Sequence, residues 1–445
     1  MRIAWRGAEL RLLLPILVLV PFGFAITNIA LTGTLEVGPL HLAIGYAVML
    51  LGAHLVLVAF GNRGDQLILP AVGAMGGIGL IMLNRLPQDL AGTSALGIEL
   101  GMAGTQLLWF GVGVISMLVI AVGLRDDGIL RHYKYTWAAV GILLLAATFI
   151  FGYEVNGARL WIDLGAVSVQ PGEILKIVLV VFIAAYLAET RTLLTSARVR
   201  IGFLSVPPLP YFLPMLALFA VVMLIVVRLN DLGTALLFFG TFLTMLFVAT
   251  GRRSYVLIGL ILFVVGFFVA HRLFGHVQLR VDVWLDPFAD PLGAGFQPVR
   301  ALYALGRGGL FGEGLGQGLV TLGGNLTIPY VHTDFIFTAI AEELGLVGAF
   351  ALLGFAAVFV FRGLRVAALA RDDFSGLLAV GLTASLALQA LIIIGGNTKL
   401  IPLTGITLPF VSYGGSSILA SFIMVGLLLS ISHRSIVGTD AEPDA

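Results

Sequence analysis

The residues best suited to chemistry in this sequence lie in one run, Tyr330 to Gly345, which reads YVHTDFIFTAIAEELG. The run carries His332, Asp334, Glu342 and Glu343 in a chain that is 59% hydrophobic and only 11% charged. On an α-helix, with about 100° and about 1.5 Å per residue, Glu342 lies roughly 12 Å deeper than Asp334 and about 80° round, and Glu343 about 180° round. The three carboxylates therefore do not form one cluster, which disfavours a two-acid hydrolase site built from this helix alone.

Spacing alone leaves more than one interpretation for each of these residues. Asp334 stands before the apolar run FIFTAIA, where an aspartate can cap a helix or act as a catalytic group. Glu342 and Glu343 fall at mid-membrane depth, where they need partners or a shared proton, so they are structural, part of a lateral interface, or functional. His332 alone does not predict a metal site, because no neighbouring histidine supplies a second ligand.

The elements that must position these groups are transmembrane helices. Mean hydropathy is +1.06, and apolar stretches long enough to span a bilayer recur along most of the chain. The sequence predicts an all-α polytopic membrane protein with about twelve transmembrane helices and no separate soluble domain. The predicted spans are 10–33, 39–60, 67–84, 103–124, 135–153, 171–188, 209–228, 232–250, 254–271, 334–361, 374–396 and 409–432.

Two features of the composition narrow the class further. The N-terminus has the basic start of a signal peptide, but its apolar run is too long and lacks a clear A-x-A site, which favours a first spanning helix. The chain has no cysteine, which excludes disulfides, thiolate nucleophiles and cysteine-ligated metals. Nothing in the sequence suggests nucleic-acid binding.

The basic residues indicate how the spans are oriented. With the N-terminus in the cytoplasm, most of the 25 Lys and Arg residues fall in cytoplasmic connections. Both termini are then cytoplasmic, and two long connections, 152–170 and 272–333, lie outside. The second is a long extracytoplasmic loop between spans 9 and 10, and its aromatic residues predict an ordered cap on the membrane surface. They are Trp284, Phe288, Phe296 and Tyr303.

A minority of the basic residues lie on the outer side, against the usual bias. They are Arg85, Arg159, Lys176, Arg228, Arg272, Arg280, Arg300, Arg307 and Lys399. Long loops cross the membrane whatever their charge, so this distribution need not carry a function. The alternative is an outward-facing site for an anion such as phosphate or pyrophosphate, which arginine binds through its fork of donors.

Two polar segments lie at the mouths of other spans. In QPGEILK, Pro171 suits the first turn of a helix, and Glu173 and Lys176 share one face, either as a structural ion pair or facing a substrate. In RLNDLGTA, the short turn favours an outer hairpin capped by Asp231 over a catalytic group. The stretch GRGGLFGEGLGQGLVTLGG lacks the ending of a phosphate-binding loop, and its glycines favour tight turns and close approach of backbone to lipid or sugar.

Taken together, six motifs resemble the RodA/FtsW (SEDS) family of bacterial cell-wall proteins. In chain order they are GARLWIDLG, QPGEILK, NDLGTA, WLDPFADPLGAGFQ, VHTDFIFTAIAEELGLVG and PFVSYGGSS. They occur in the family's order and cover about residues 67–434; each is modest alone, and together they are highly specific. The resemblance implies a peptidoglycan glycosyltransferase that polymerises lipid II on the outer face of the bacterial cytoplasmic membrane.

The sequence departs from the family pattern in several places. Family members typically have ten spans, so residues 1–66 are predicted to be two added N-terminal transmembrane helices, 67–434 the SEDS-type core, and 435–445 a short cytoplasmic tail. Leu160 stands where an arginine usually precedes the tryptophan, which leaves the anion role of that loop to Arg159. Gly172 replaces a usual serine and Asn230 a usual proline.

The resemblance also implies roles for individual residues. The family's essential aspartate maps onto Asp334, and its functionally important Glu and Lys map onto Glu173 and Lys176. Asp334 is then the base that accepts the proton of the GlcNAc 4-hydroxyl, in a reaction that inverts the donor carbon. Candidates for binding the substrate and its leaving pyrophosphate are Arg159, Glu173, Lys176, Arg228, Arg280, His332 and Lys399.

No metal-ligand cluster demands a cofactor, although a divalent cation (Mg or Mn) could assist the leaving group. The implied partners are lipid II, membrane lipids and a cognate class B penicillin-binding transpeptidase. The two added spans favour the RodA-like elongation branch, which maintains cell shape, over the FtsW-like division branch. Two other classes stay open: a lipid II flippase, which should show broken helices or inverted repeats, and a non-catalytic scaffold.

Overall fold

The fold is described from a computed structural model of the chain. It describes residues 6–34, 40–87, 94–95, 98–124, 126–155, 158–165, 167–196, 199–201, 204–206, 209–322 and 325–439. The predicted tail, 435–445, lies partly outside this set, since 435–439 are helical and 440–445 are not described. Arg2, Arg125 and Arg198, which contribute to the predicted orientation, also lie outside the described residues.

Within the described residues the chain is mostly helical. The helices are α1 (Gly7–Thr32), α2 (Leu40–Ala59), α3 (Ile68–Arg85), α4 (Gly101–Gly123), α5 (Gly128–His132), α6 (Lys134–Phe151), α7 (Pro171–Ser196), α8 (Leu209–Arg228), α9 (Leu232–Thr250), α10 (Arg253–Leu273), α11 (Gly275–Leu285), α12 (Phe296–Gly308), α13 (Ile336–Ala368), α14 (Asp373–Asn397) and α15 (Gly415–Thr439). Twelve of these are long and apolar enough to cross a membrane, which confirms the predicted number of spans.

Most predicted boundaries agree with the helices to within three residues. Four boundaries, in three helices, do not: α7 and α13 run well past the predicted ends at 188 and 361, and α15 begins after the predicted start at 409 and ends beyond 432. A span estimated from bilayer thickness ends where polarity rises, whereas the helical hydrogen bonds of α7 and α13 continue through the charged turns beyond. Residues 409–414 are mostly apolar, yet they belong to a turn that precedes α15.

The connections hold short strands and one 3₁₀ helix. The strands are β1 (Ser94–Ala95), β2 (Ile98–Glu99), β3 (Tyr153–Val155), β4 (Ala158–Asp163), β5 (Ser168–Val169), β6 (Val199–Ile201), β7 (Leu204–Val206), β8 (Thr321–Leu322) and β9 (Asn325–Leu326). The first long connection is an antiparallel sheet in the order β3-β4-β5. The second contains α11, the 3₁₀ helix Pro287–Ala289, α12 and the β8-β9 hairpin.

The chain divides into two compact units. Unit 1 comprises Met1–Leu124, Asp282–Arg362 and Gln389–Ala445; unit 2 comprises Arg125–Val281 and Gly363–Leu388. In unit 1, α1 packs on α2 and α3, and α4 packs on α15. In unit 2, α7 packs on α6 and α9, and α9 also contacts α8 and α10. By packing, therefore, the two helices predicted to be N-terminal additions are part of unit 1.

Helix α13 is interrupted at Gly345, whose φ of 66° and ψ of −167° are not helical. Glycine has no Cβ and adopts a positive φ at little cost, so it allows the chain to leave the helix here and re-enter it. Residues 336–344 therefore form a short half-helix, and Asp334 precedes its first residue, Ile336, by two positions. The single helix from 334 to 361 assumed from the sequence is wrong in this respect.

A buried polar network holds the start of α1. The Arg6 guanidinium donates to Glu9 Oε1 (3.0 Å) and Oε2 (2.5 Å), and to the carbonyl oxygens of Asn62 (2.9 Å) and Asp65 (2.9 Å). Glu9 Oε1 also lies 2.7 Å from Nδ1 of His54 on α2. Arg6, Glu9 and His54 are all buried, so this network joins α1 to α2 and to the connection before α3. A buried charge is tolerated only when it is paired and hydrogen-bonded in this way.

Removing Arg6 tests this network. Arg6→Ala leaves the Glu9 carboxylate buried without its main partner, and we expect the free energy of unfolding to fall by about 3–5 kcal/mol. Arg11→Ala is the matched control, because Arg11 is exposed on the same helix; it should change stability by no more than about 0.5 kcal/mol. Thermal unfolding in detergent measures both, and equal effects would contradict the role of Arg6.

Candidate active site

The main chain around Asp334 is fixed by hydrogen bonds that three successive carbonyl groups accept. The Tyr413 amide donates to the carbonyl of His332 (2.8 Å), and the Ser412 hydroxyl donates to the carbonyl of Thr333 (2.5 Å). The side-chain amide of Asn397 donates to the carbonyl of Asp334 (2.8 Å). Because these donors come from the end of α14 and the turn before α15, the segment 332–334 is held from outside its own helix.

The donors are themselves held in place. Gln106, fully buried on α4, donates to the Ser412 carbonyl (2.9 Å) and accepts from the Gly414 amide (3.2 Å). The Ser412 hydroxyl also accepts from the Leu408 amide (2.9 Å). The side-chain oxygen of Asn397, Oδ1, accepts from the hydroxyl of Thr338, on the first turn of the half-helix (3.0 Å). The backbone position of Asp334 is therefore set by several elements of unit 1 together.

The side chain of Asp334 is half-buried and faces the connection between α14 and α15. Its Oδ2 lies 3.7 Å from the position that a Cβ on Gly405 would take. Gly405 has a φ of 76°, so a side chain there would strain the backbone and also approach the carboxylate. A partly exposed carboxylate on a fixed main chain can accept a proton from a bound hydroxyl.

His332 lies two residues from Asp334 and is also half-buried. Its ring centroid is 5.8 Å from that of Tyr413 and 6.4 Å from that of Tyr330. Within the described part of the chain, its Nδ1 is buried without a hydrogen-bond partner. Burial lowers the pKa of His332 below its ordinary value, so the imidazole is neutral near neutral pH. A neutral ring with an unused polar atom suits contact with a sugar hydroxyl better than it suits binding an anion.

Lys399 also belongs to unit 1, in the turn after α14. Its Nζ donates to the carbonyl of Leu285 (3.2 Å), and its own carbonyl accepts from the indole of Trp284 (3.0 Å). These two bonds tie the turn to the end of α11. The amine is half-buried. Trp284, predicted from the sequence as part of an ordered cap, therefore helps to position this lysine.

In unit 2, Glu173 and Lys176 form the predicted ion pair at the start of α7. Lys176 Nζ lies 2.7 Å from Glu173 Oε2, and the lysine side chain is only 2% exposed against 12% for the glutamate. The helix begins at Pro171, as the sequence predicts. A nearly buried lysine needs its carboxylate partner, and the small exposed fraction of Glu173 is what an incoming polar group could contact.

Asp231 caps α9, as the sequence predicts, by accepting from the Thr234 amide (3.0 Å). Burial raises its pKa, while the hydrogen bonds from Thr234 and the positive charge of Arg280 act in the opposite direction. The negative charge of Glu173 also acts on Asp231, so these acids and Arg280 share one electrostatic environment in unit 2. Arg228, at the end of α8, is exposed.

Arg159 lies on β4 and is exposed. Its Nη1 approaches the carbonyl of Phe149 near the end of α6 at 3.5 Å. The predicted site residues thus fall into two sets. Asp334, His332 and Lys399 belong to unit 1, whereas Arg159, Glu173, Lys176, Arg228 and Arg280 belong to unit 2.

Sequence reasoning missed three residues that hold the site: Gln106, Asn397 and Ser412. Ser412 lies in the motif PFVSYGGSS, for which the family resemblance implied no role for any single residue. Gln106 and Asn397 are buried amides in apolar helices, and such residues are functional or structural candidates on cost alone. The free-energy cost of burying an amide was therefore the one signal in the sequence that pointed to Gln106 and Asn397.

The partners of Glu342 and Glu343 were also missed. Both glutamates are fully buried, and each is paired: Glu342 with Arg307 of α12, and Glu343 with Arg85 at the end of α3. The interpretation as structural residues is therefore supported. Arg85 and Arg307 were among the outer basic residues, but their distance from the glutamates in the sequence gave no indication of the pairing.

The fold and these sites define a polytopic helical membrane protein with a carboxylate just before the first turn of a half-helix. Residues 65–436 match the family model FTSW_RODA_SPOVE, described as cell cycle protein. The chain belongs to the FtsW/RodA/SpoVE family, which confirms the resemblance seen in its motifs.

Individual relatives and solved structures support the same family membership. The chain is 42% identical over 384 residues to the peptidoglycan glycosyltransferase RodA of Mycobacterium tuberculosis strain H37Rv, covering 86% of this chain and 80% of that protein. It is 38% identical to stage V sporulation protein E of Bacillus subtilis, covering 75% and 87%. A chain of a peptidoglycan synthase complex superposes with a TM-score of 0.65 at 27% identity, covering 84% and 98%. The rod shape determining protein RodA of Thermus thermophilus gives a TM-score of 0.57 at 26% identity, covering 84% and 97%.

Asn397 offers a direct test of the site's framework. Asn397→Leu removes the donor to the Asp334 carbonyl and leaves the buried Thr338 hydroxyl without its acceptor, so we expect a loss of about 1–3 kcal/mol in the free energy of unfolding. Among the described residues, the hydroxyl of the neighbouring Thr398 donates to carbonyls of its own helix end, those of Ile394 and Gly395. Thr398→Val should therefore change stability by about 0.5 kcal/mol or less. Thermal unfolding in detergent compares the two, and a neutral Asn397→Leu would contradict the framework.

Proposed function

We propose that this protein is an inverting peptidoglycan glycosyltransferase that polymerises lipid II. It transfers the growing glycan from undecaprenyl pyrophosphate to the GlcNAc 4-hydroxyl of another lipid II molecule. The observation that carries the proposal is the half-buried Asp334 carboxylate on a main chain fixed by Tyr413, Ser412 and Asn397. The names of the family relatives support the same activity.

The reaction needs a base at one atom and positive charge at another. The acceptor oxygen forms a bond to the MurNAc anomeric carbon of the donor, and the bond from that carbon to the pyrophosphate oxygen breaks. The electron pair of that bond leaves with undecaprenyl pyrophosphate, and the hydroxyl proton passes to Asp334. Attack opposite the leaving group turns an α-linked donor into a β-linked glycan.

Stabilisation of the leaving pyrophosphate has candidates in each unit. Lys399 is the candidate in unit 1 and, in unit 2, the candidates are Arg159, Lys176, Arg228 and Arg280. Two further residues are assigned to substrate binding: Glu173 pairs with Lys176 and orients it, and His332 contacts a sugar hydroxyl next to Asp334. Support comes from the Glu173–Lys176 pair and from the neutral, half-buried His332.

A divalent cation, Mg or Mn, could assist departure of the pyrophosphate. Among the described residues, no group of three or more His, Cys, Asp or Glu is arranged to hold a metal ion. When bound, such a cation would neutralise charge on the leaving group. Polymerisation in EDTA, with Mg or Mn added back, measures whether it is required.

The protein is a multi-pass membrane protein, and the side on which it acts follows from the basic residues. We assign both termini to the cytoplasm of a bacterium and the site to the outer face of the cytoplasmic membrane. Residues 1–66 are assigned as two added spans, 67–434 as the SEDS core and 435–445 as a cytoplasmic tail. The likeness to a chain of a peptidoglycan synthase complex supports a partner, for which a class B penicillin-binding transpeptidase fits.

The elongation branch is favoured over the division branch. The Mycobacterium tuberculosis relative named RodA is 42% identical, and the sporulation relative of Bacillus subtilis is 38% identical. The two added N-terminal spans point the same way. A role in cell elongation and shape follows from this choice.

The competing function is a lipid II flippase, and the break at Gly345 is the observation in its favour. Transporters use interrupted helices to bind substrate in the gap. Here the gap is filled by the chain itself, since the amides of Glu313 and Gly314 donate to the carbonyls of Glu342 and Glu343 (both 3.0 Å). These two carbonyls are therefore not free to bind a substrate.

Lipid II supplied in detergent separates the two functions. An enzyme converts it to polymer without any membrane to cross, so we expect purified wild-type protein to make β-linked glycan strands, detected by electrophoresis of labelled lipid II. A flippase would leave lipid II unchanged under the same conditions. Unchanged lipid II, with a protein that elutes as a single folded species, would overturn the proposed activity.

A further inference from the structure

The half-helix 336–344 ends where a loop of the same chain pairs with it. On one side of the break, the amides of Glu313 and Gly314 donate to the carbonyls of Glu342 and Glu343. On the other side, the amides of Leu346 and Val347 donate to the carbonyls of Gly309 (3.0 Å) and Leu310 (3.1 Å). Backbone groups freed by a break inside an apolar protein must find such partners, and residues 309–314, here called the inserted loop, supply them.

The inserted loop fits because its backbone comes very close to the helix. A Cβ on Gly312 would lie 2.2 Å from the Glu343 carbonyl oxygen, and one on Gly345 would lie 2.3 Å from the Gly312 nitrogen. The sequence predicted close approach of this glycine-rich segment to lipid or sugar. In the structure Gly312, which belongs to this segment, approaches Glu343 and Gly345 of α13.

Glu342 fixes the chain that follows the inserted loop. Its Oε1 accepts from Arg307 Nε (2.9 Å) and Nη2 (2.5 Å), and from the amide of Leu319 (2.9 Å). The glutamate is fully buried, while the side chain of Arg307 is 37% exposed. One carboxylate therefore joins the end of α12, the start of the β8-β9 hairpin and the half-helix.

Glu343 fixes the same stretch from the other side. Its Oε2 accepts from the Gly316 amide (2.8 Å), and its other oxygen pairs with Arg85, which is buried at the end of α3. Arg85 also donates to the carbonyl of Gly318 and to the Thr321 hydroxyl (3.1 Å). Residues 316–321 are thus held to two helices through one buried ion pair.

Residues 316–321, here called the held stretch, are connected to Asp334 through a short series of hydrogen bonds and buried contacts. The amide and hydroxyl of Thr327 donate to the carbonyls of Val320 (2.9 Å) and Leu319 (2.5 Å), which closes the hairpin where Glu342 holds it. Val331 is then fully buried, and the Asp334 amide donates to the carbonyl of Tyr330 (2.9 Å). Asp334 also stands two positions before the half-helix, whose far end carries the two glutamates.

We propose that Glu342 and Glu343, with Arg307 and Arg85, are positioning residues for Asp334. They bind the inserted loop and the hairpin to the half-helix and so set where the catalytic carboxylate stands. The role rests on the proposed glycosyltransferase activity. It assigns a function to two buried acids that do not belong to the carboxylate site itself.

The test compares Glu342→Gln and Glu343→Gln with Glu313→Gln, an exposed glutamate in the inserted loop. Because a misplacement of about 1 Å costs roughly 100-fold in rate, we expect kcat for lipid II polymerisation to fall about 100-fold in the first two variants. KM should change little, since substrate-binding groups are untouched. Glu313→Gln should keep wild-type kinetics.

A spin label reports on the loop independently of activity. The chain has no cysteine, so Gln317→Cys, at an exposed position of the held stretch, provides a single labelling site. We expect the label's motion to increase in Glu342→Gln and Glu343→Gln and to stay as in wild type in Glu313→Gln. Arg307→Lys keeps the charge and Arg307→Ala does not, so the lysine variant should retain more kcat; this comparison remains informative if a glutamate variant fails to fold.

The outcomes separate this role from the proposed function. Wild-type kcat in folded Glu342→Gln and Glu343→Gln proteins would overturn the positioning role and leave the activity standing. A loss of kcat with an unchanged label signal would also overturn it, because the glutamates would then act without the loop. Wild-type protein that makes no polymer would overturn the activity and this role with it.

Discussion

The constraint on which the rest of the structure depends is that charges and backbone groups buried in an apolar protein must be paired. Glu342 and Glu343 are fully buried, and Arg307 and Arg85 neutralise them. The same constraint applies to the carbonyls and amides freed where the helix breaks at Gly345, which the inserted loop satisfies. Meeting both demands at one place fixes the loop, the hairpin and the half-helix relative to one another.

The carboxylate site follows from that arrangement within unit 1. The far end of the half-helix is held a second time, where Asn397 joins the carbonyl of Asp334 to the hydroxyl of Thr338. Ser412 and Tyr413 add bonds to the two preceding carbonyls. In the proposed reaction, a base that must meet one hydroxyl of a large lipid-linked sugar gains from such preorganisation, because little motion remains to be lost when substrate binds.

The sequence predicted the spans well, because a run such as Leu232–Thr250 is apolar, bounded by Asp231 and Gly251, and long enough to cross a bilayer. The Glu173–Lys176 pair was predictable because its members are one helical turn apart. The partners of Glu342 and Glu343 were not predictable, because Arg307 and Arg85 are far from them in the sequence. The break at Gly345, where the inserted loop pairs with the helix, was not predicted either. Helical periodicity likewise assumes a continuous helix and could not show that Asp334 precedes the first turn.

The central claim is that Asp334 is the base of a lipid II polymerase, and one measurement tests it most directly. Purified Asp334→Asn and Asp282→Asn proteins are given lipid II in detergent, Asp282 being an exposed aspartate of unit 1. Asparagine cannot accept the proton, so Asp334→Asn should form no glycan strands while thermal unfolding matches wild type, and Asp282→Asn should polymerise normally. Glycan strands formed by folded Asp334→Asn at near wild-type rate would contradict the account and leave Asp334 a structural residue.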